Sequence, residues 1–215
     1  MSEMVQRRPI RRVIHPNWEV RKGHALDLLS EWNEPIDLVV TDPPYAFGGD
    51  GVEHAVSATV ATVLRETALR LRRGSWMVVL CASSWRSISY MVESVRGILG
   101  PVRVGTWTKP NSKSKVRTAG WAWASVACVA MRKGPKNRPD LVQNCEILDH
   151  LSAPTMTKGR RAELPPEVAR WAVEPFIVPG GLMLDPFAGS GALPKVAAKL
   201  GMKAVGFEIE SPEET

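Results

Sequence analysis

Leu184-Asp185-Pro186-Phe187-Ala188-Gly189-Ser190-Gly191 is the stretch that decides the fold. Leu182 to Leu184 is a short apolar strand, set off by Gly180-Gly181. The Gly-Ser-Gly turn after it lets backbone approach a ligand closely, because glycine has no Cβ. A helix follows to about Leu200, with Pro194 tolerated in its first turn, and Lys203 to Glu208 forms the next strand. A ligand at such a turn lies at the carboxyl end of a parallel sheet. Helix N-terminal amides there favour a carboxylate or phosphate. Glu208 closes the following strand, the position from which an acid takes ribose hydroxyls in nucleotide-type sites. A lone glycine turn is equally a structural turn, and only with Glu208 in place does binding become the better reading. The turn is not G-x-G-x-x-G, so it points to an adenosine-bearing cofactor other than a dinucleotide.

Working outward, apolar β-type runs alternate with helical patterns, the rhythm of an α/β fold with a largely parallel sheet. Strands are expected at Trp18 to Lys22, Ile36 to Thr41, Trp76 to Ala82 and Val102 to Thr108, with Ala122 to Met131 as an antiparallel neighbour of the last. Helices are expected at Ala25 to Trp32, at Ala55 to Arg72 with Gly74 as its stop, at Ser84 to Leu99, and from Pro165-Pro166 to about Ile177. Lys133 to Glu163 has no clean periodicity, and there is no internal repeat.

Asp42-Pro43-Pro44-Tyr45 follows the strand Ile36 to Thr41 directly, so it too belongs at a carboxyl edge. An exocyclic amino group on adenine or cytosine is a weak nucleophile, because its lone pair is spread into the ring. Acceptors for its two N–H groups localise that pair. The Asp42 carboxylate is one acceptor, and a carbonyl of the Pro-Pro step, held rigid by the proline ring, is a second. Tyr45, one of two tyrosines in the chain, offers a face for a stacked base worth roughly 1–3 kcal/mol. A base in a duplex has to be flipped to reach such a pocket, and positioning then does most of the work of an in-line methyl transfer. Taken alone, the loop is also an ordinary Asp-Pro turn.

The 215 residues suit a single domain spanning 1–215. The net charge of +6 fits a phosphate-rich partner, though many soluble proteins are mildly basic. The cations concentrate in polar stretches: Lys109, Lys113, Lys115 and Arg117, then Lys136 and Arg138, then Arg160 and Arg161. Cys81 and Cys128 lie in apolar runs and read as buried thiols, and neither the three cysteines nor the four histidines show metal-ligand spacing. No apolar run is long enough to span a bilayer and the charged N-terminus is not a secretory signal, so a cytoplasmic protein without a membrane partner is expected.

The two motifs together resemble the DNA amino-methyltransferases of the adenine-N6 and cytosine-N4 type, over nearly the whole chain from about Trp18 to Glu210. The family's catalytic motif matches at Asp42 to Tyr45, and its cofactor motif, Asp-Pro-Phe-x-Gly-Ser-Gly, at Asp185 to Gly191. Catalytic before cofactor is the permuted order of the β group. The resemblance implies a Rossmann-like methyltransferase fold: a mostly parallel central sheet with one antiparallel strand and helices on both faces. It implies S-adenosyl-L-methionine as cofactor, DNA as partner, and commonly a homodimer. It assigns Asp42 and the Pro43 carbonyl, within Asp42-Pro43-Pro44-Tyr45, to the amino hydrogens and Tyr45 to the stacked base. It assigns Asp185, Pro186, Phe187, Ala188, Gly189, Ser190 and Gly191 to the cofactor border, and Glu208 to the ribose. The segments at about 109–120 and 133–161 become the target-recognition region. Where the family has Gly-Asp this chain has Gly23-His24, which puts His24 in place of the acid that meets the cofactor's adenine, with Asp27 three residues on. Ala192-Leu193 replaces the hydroxyl residues that often follow Gly-Ser-Gly. An Asp at the head of the catalytic motif leans toward adenine N6. Cytosine N4, an RNA substrate, and a DNA-binding module on a decayed methyltransferase fold stand as alternatives.

Overall fold

Ile36–Thr41 is buried at every position, as a strand covered on both sheet faces must be. It is β3, at the centre of a nine-stranded sheet in a computed structural model that describes residues 12–15, 17–44, 51–112, 123–142, 146–155 and 163–209, the stretches 12–15 and 51–57 by backbone alone. The other strands are β1 Arg12–His15, β2 Trp18–Lys22, β4 Leu71–Ala82, β5 Gly100–Thr108, β6 Ser125–Arg132, β7 His150–Ser152, β8 Leu182–Asp185 and β9 Lys203–Glu208. Their order across the sheet is β1-β2-β9-β8-β3-β4-β6-β5-β7. The helices are α1 Ala25–Ser30, α2 Gly51–Arg70, α3 Trp85–Ser94, α4 Pro166–Val173 and α5 Ala192–Lys199.

The period of two sorts the strand residues onto two cores. Met77, Val79 and Cys81 of β4 and Leu182 and Leu184 of β8 pack with α1, α2 and α3 on one face. Trp76, Val78 and Leu80, with Met183, pack with α4 and α5 on the other. Cys81 and Cys128 are buried on opposite faces, and burial pushes both thiols up to about 12.

The expected antiparallel strand is β6, which runs between β4 and β5 rather than only beside β5. A second antiparallel strand, β1, extends the far edge beside β2. β7, inside the stretch without periodicity, pairs parallel to β5. Gly74 does not end α2: the helix gives way to β4 at Leu71, and Gly74 lies within that strand at φ +82. It serves a bulge there, since Ile36 pairs with Leu71 but Leu38 with Trp76, and a Cβ on it would lie 2.6 Å from the Arg138 nitrogen.

β3 and β8 are neighbours although the chain winds away from each in opposite directions, β3 through α2 to β4 and β8 through α5 to β9. Such a reversal leaves a crevice at the carboxyl ends of the two strands, because their crossover helices lie on opposite faces. Asp42 follows β3 and Asp185 ends β8 at this switch point.

Candidate active site

The turn after β8 is built by its own acid. Asp185 Oδ1 accepts from the Phe187 N–H at 3.1 Å and from Thr41 Oγ1 at 2.7 Å, so one oxygen closes the turn and ties it to β3. Ala188 donates its N–H to the Phe207 carbonyl at 2.8 Å. The turn then passes so close to β9 that a Cβ on Gly206 would meet the Ala188 Cβ at 2.4 Å, which only glycine at 206 avoids. Gly191, at φ +82, caps α5. Glu208 grips the turn from the end of β9: Oε2 accepts the Gly189 N–H at 2.7 Å and Oε1 the Ile209 N–H at 2.9 Å. These two contacts fix the orientation of the carboxylate on the wall of the turn.

These residues open on one cleft of about 640 Å³. Asp42, Pro44, His24, Asp185, Pro186, Phe187, Ala188, Gly189, Ser190 and Glu208 all line it. Pro43 is buried behind the loop, Gly191 turns inward as the cap, and Tyr45 falls outside the described residues. His24 has a local task as well: its Nδ1 accepts the Leu26 N–H at 3.3 Å as the N-cap of α1. Ala192 and Leu193 add apolar wall where hydroxyls were expected from the family pattern. Glu163, which the motifs did not single out, lines the cleft and accepts from Ser190 Oγ at 3.1 Å. Four carboxylates (Asp42, Glu163, Asp185, Glu208) and no lysine or arginine among the described residues face this cleft in a chain of net charge +6.

The basic residues divide between the two ends of the sheet. Lys109 follows β5 at the same edge as Asp42, its N–H bonded to the Ala124 carbonyl at 2.6 Å and its ammonium 5.7 Å from the Trp107 ring. Asn111 stitches this edge to the segment after β7, through Thr155 N to Asn111 Oδ1 at 2.9 Å. Lys113, Lys115, Arg117, Arg160 and Arg161 lie outside the described residues, but the flanking Ser112, Trp123, Thr155 and Glu163 stand at this edge.

Lys136 and Arg138 do not belong with them. β6 runs antiparallel, so the loop after it emerges at the amino ends of β3 and β4, opposite the cleft. Arg138 is engaged there with Asp37 and Asp140, and these two acids take up its charge. The structure thus places these two expected nucleic-acid-binding cations at the opposite edge of the sheet from Lys109 and the Asp42 loop. Trp85, 85% exposed at the start of α3, and Trp123, just before β6, lie instead at the carboxyl-end edge of the parallel strands. The sequence hides Trp85 because its helical spacing from Ile88 and Val92 reads as a core stripe.

The N6/N4 DNA methylase family model matches residues 103–214, just over half of the chain. The chain belongs to this DNA methylase family. The match holds β6 to β9 and the Asp185–Gly191 turn, and stops short of the Asp42 loop. Solved structures of this fold include M1.HpyAVI in complex with SAM, at 19% identity, covering 90% of this chain and 93% of that one with a TM-score of 0.68. A Thermus thermophilus protein complexed with S-adenosyl-L-methionine matches at 22% identity, 88% and 86% coverage and TM-score 0.66. The cytosine-N4-specific PvuII DNA methyltransferase matches at 18% identity, 90% and 82% coverage and TM-score 0.68. No curated protein matches the sequence. Among the described residues no helix is long and apolar enough to cross a membrane.

Proposed function

We propose that this methylase transfers the methyl group of S-adenosyl-L-methionine to the exocyclic amino nitrogen of a flipped DNA base, adenine N6. The observation that carries the reading is the single cleft at the switch point, which joins the Asp42 loop to the Asp185–Gly191 turn. Its residues fit the cofactor. The volume is that of a small-molecule site, Val63, Leu164, Phe187 and Leu193 supply apolar wall, and Glu208 lines the cleft from the end of β9, the position of a ribose-binding acid. One buried oxygen of Asp185, Oδ2, has no partner among the described residues, and the surplus of carboxylates suits a ligand carrying positive charge. The cofactor supplies an activated methyl group on a sulfonium.

The chain's own residues do the rest. Asp42 accepts one amino hydrogen and the Pro43 carbonyl a second, which localises the nitrogen lone pair toward the methyl. Tyr45 stacks the flipped base. Lys109 and the cationic segments flanked by cleft-edge residues hold the phosphates. Within the family an Asp at the head of the catalytic motif leans to adenine, and this supports the choice of base.

Labelled-methyl transfer to unmethylated DNA, followed by digestion to nucleosides, tests the reading; label in N6-methyl-2′-deoxyadenosine is expected. Label in cytosine alone overturns the adenine assignment. No transfer to any nucleic acid, together with no cofactor binding, overturns the enzyme reading.

Trp85 and its exposed neighbour Arg86 stand at the same edge, and an exposed indole beside a flipping site is suited to stack on an unpaired base. Trp85→Ala is expected to weaken DNA binding by about tenfold, within the range of one base–aromatic stack, with cofactor affinity unchanged. Fluorescence anisotropy on a labelled duplex measures this; unchanged affinity removes Trp85 from the interface.

A further inference from the structure

Thr41 and Asp185 form a buried hydroxyl–carboxylate pair across the switch point, the first 0% and the second 1% exposed. They come from the two strands that carry the site and stand 144 residues apart in the chain. Both donors that meet Asp185, the Thr41 hydroxyl and the Phe187 N–H, reach the same oxygen, Oδ1. Oδ2 is buried without a hydrogen-bond partner among the described residues, although Asp185 lines the cleft. A buried carboxylate oxygen with no donor is costly, and such an orphan in a native site calls for an explanation. A ligand donor or cation at the cleft supplies one.

Burial pushes the Asp185 carboxyl up to about 7, and Asp42 at the end of β3 and Glu208 at the end of β9 push the same way. The Thr41 hydroxyl and the Phe187 N–H pull it down. Glu163 ahead of α4 and His24 ahead of α1 also face the cleft, with no lysine or arginine among the described residues. The ionised carboxylate thus depends on the two donors at Oδ1, and Thr41 is the one that a substitution removes cleanly.

We propose that Thr41 is a positioning residue that acts through Asp185: its hydroxyl holds one oxygen of the carboxylate, so that the group keeps its charge and presents its other oxygen to the cationic half of the cofactor. This rests on the cofactor reading above. Thr41 makes no contact with the cofactor itself, and its effect reaches the ligand only as a property of Asp185.

The test is calorimetric binding of S-adenosyl-L-methionine across about pH 5.5–9, a window centred on the raised carboxyl, for the native chain, Thr41→Ser and Thr41→Val. Valine has the shape of threonine and suits a fully buried position, and thermal unfolding of each variant checks the fold. In the native chain affinity is expected to fall as pH drops through about 7, because a proton on Asp185 then competes with the ligand's positive charge. Thr41→Ser keeps the donor and keeps the profile. Thr41→Val loses it, so the midpoint moves up by about one pH unit and binding at neutral pH weakens up to about tenfold. The KM for cofactor rises correspondingly, with kcat at saturating cofactor within about threefold. His24 is the same in all three proteins, so a moved midpoint reports Asp185. A Thr41→Val profile that superimposes on the native one overturns the role of Thr41 and leaves the cofactor reading standing. So does a Thr41→Ser variant as impaired as Thr41→Val. No binding by the native chain at any pH overturns the cofactor reading and this one with it.

Discussion

Asp42→Ala is expected to lower methyl transfer by about 10²–10³-fold, the usual cost of removing one preorganised polar group from a reacting centre, while cofactor affinity stays within a few-fold. The physical reason lies in where Asp42 sits. β3 is buried on both faces and ends abruptly at two prolines, which holds the carboxylate at the strand's carboxyl edge on the wall of the cleft. On the proposed function its task is to accept an amino hydrogen as the nitrogen becomes the nucleophile. That interaction strengthens as the lone pair localises, so its loss appears in the rate rather than in cofactor binding. The cofactor turn is held independently, by Asp185 and Glu208. Single-turnover transfer and a calorimetric cofactor titration on the same preparation check both halves. Transfer retained within about threefold would refute the role given to this carboxylate.

The second large effect lies at the other end of the same strand. Asp37→Ala is expected to destabilise the fold by about 3–5 kcal/mol, the range for removing one partner of a buried ion pair. Asp37 Oδ2 accepts the Leu182 N–H at 2.8 Å, joining the start of β8 to β3, and Oδ1 meets Arg138 and Arg72. The side chains of Asp37 and Arg138 are 10% and 14% exposed, so the substitution leaves the Leu182 N–H without its acceptor and a largely buried guanidinium with Asp140 as its remaining acid. Urea unfolding followed by circular dichroism measures the loss, and a change below about 1 kcal/mol, typical of a surface pair, overturns this account. Asp37→Ala in combination with Arg138→Ala is expected to lose less than the sum of the two, since both single substitutions remove the same ion pair. Transfer per folded molecule is unaffected, because Asp37 lies at the edge of the sheet away from the cleft.

Strands β3 and β9 run over the same residues that the sequence predicts, because each is a short, largely apolar run between strong punctuation, and β2, though mostly charged, is bounded by Pro16-Asn17 and Gly23. The elements that shifted are those whose ends depend on partners. Gly74 looks like a helix stop, but the helix ends earlier because Leu71 is drawn into pairing with Ile36. β7 has no periodicity of its own and exists because Thr106 to Thr108 offers it an edge. Arg138 looks like any loop cation until Asp37, 101 residues away, is placed against it.

Local chemistry by itself determined that this chain has a strand ending in Asp42-Pro43-Pro44, a strand ending in Asp185 and a glycine turn, and an acid at Glu208, because each of these is written in consecutive residues. Only the tertiary structure decided that β3 and β8 are neighbours, and with it which residues share a cleft. That adjacency comes from burying both faces of a parallel sheet under helices from distant parts of the chain, so no local spacing encodes it. It is what places Thr41 against Asp185, leaves one buried carboxylate oxygen without a partner among the described residues, and sends Lys136 and Arg138 to the far edge while Lys109 and Trp85 remain at the edge that carries Asp42.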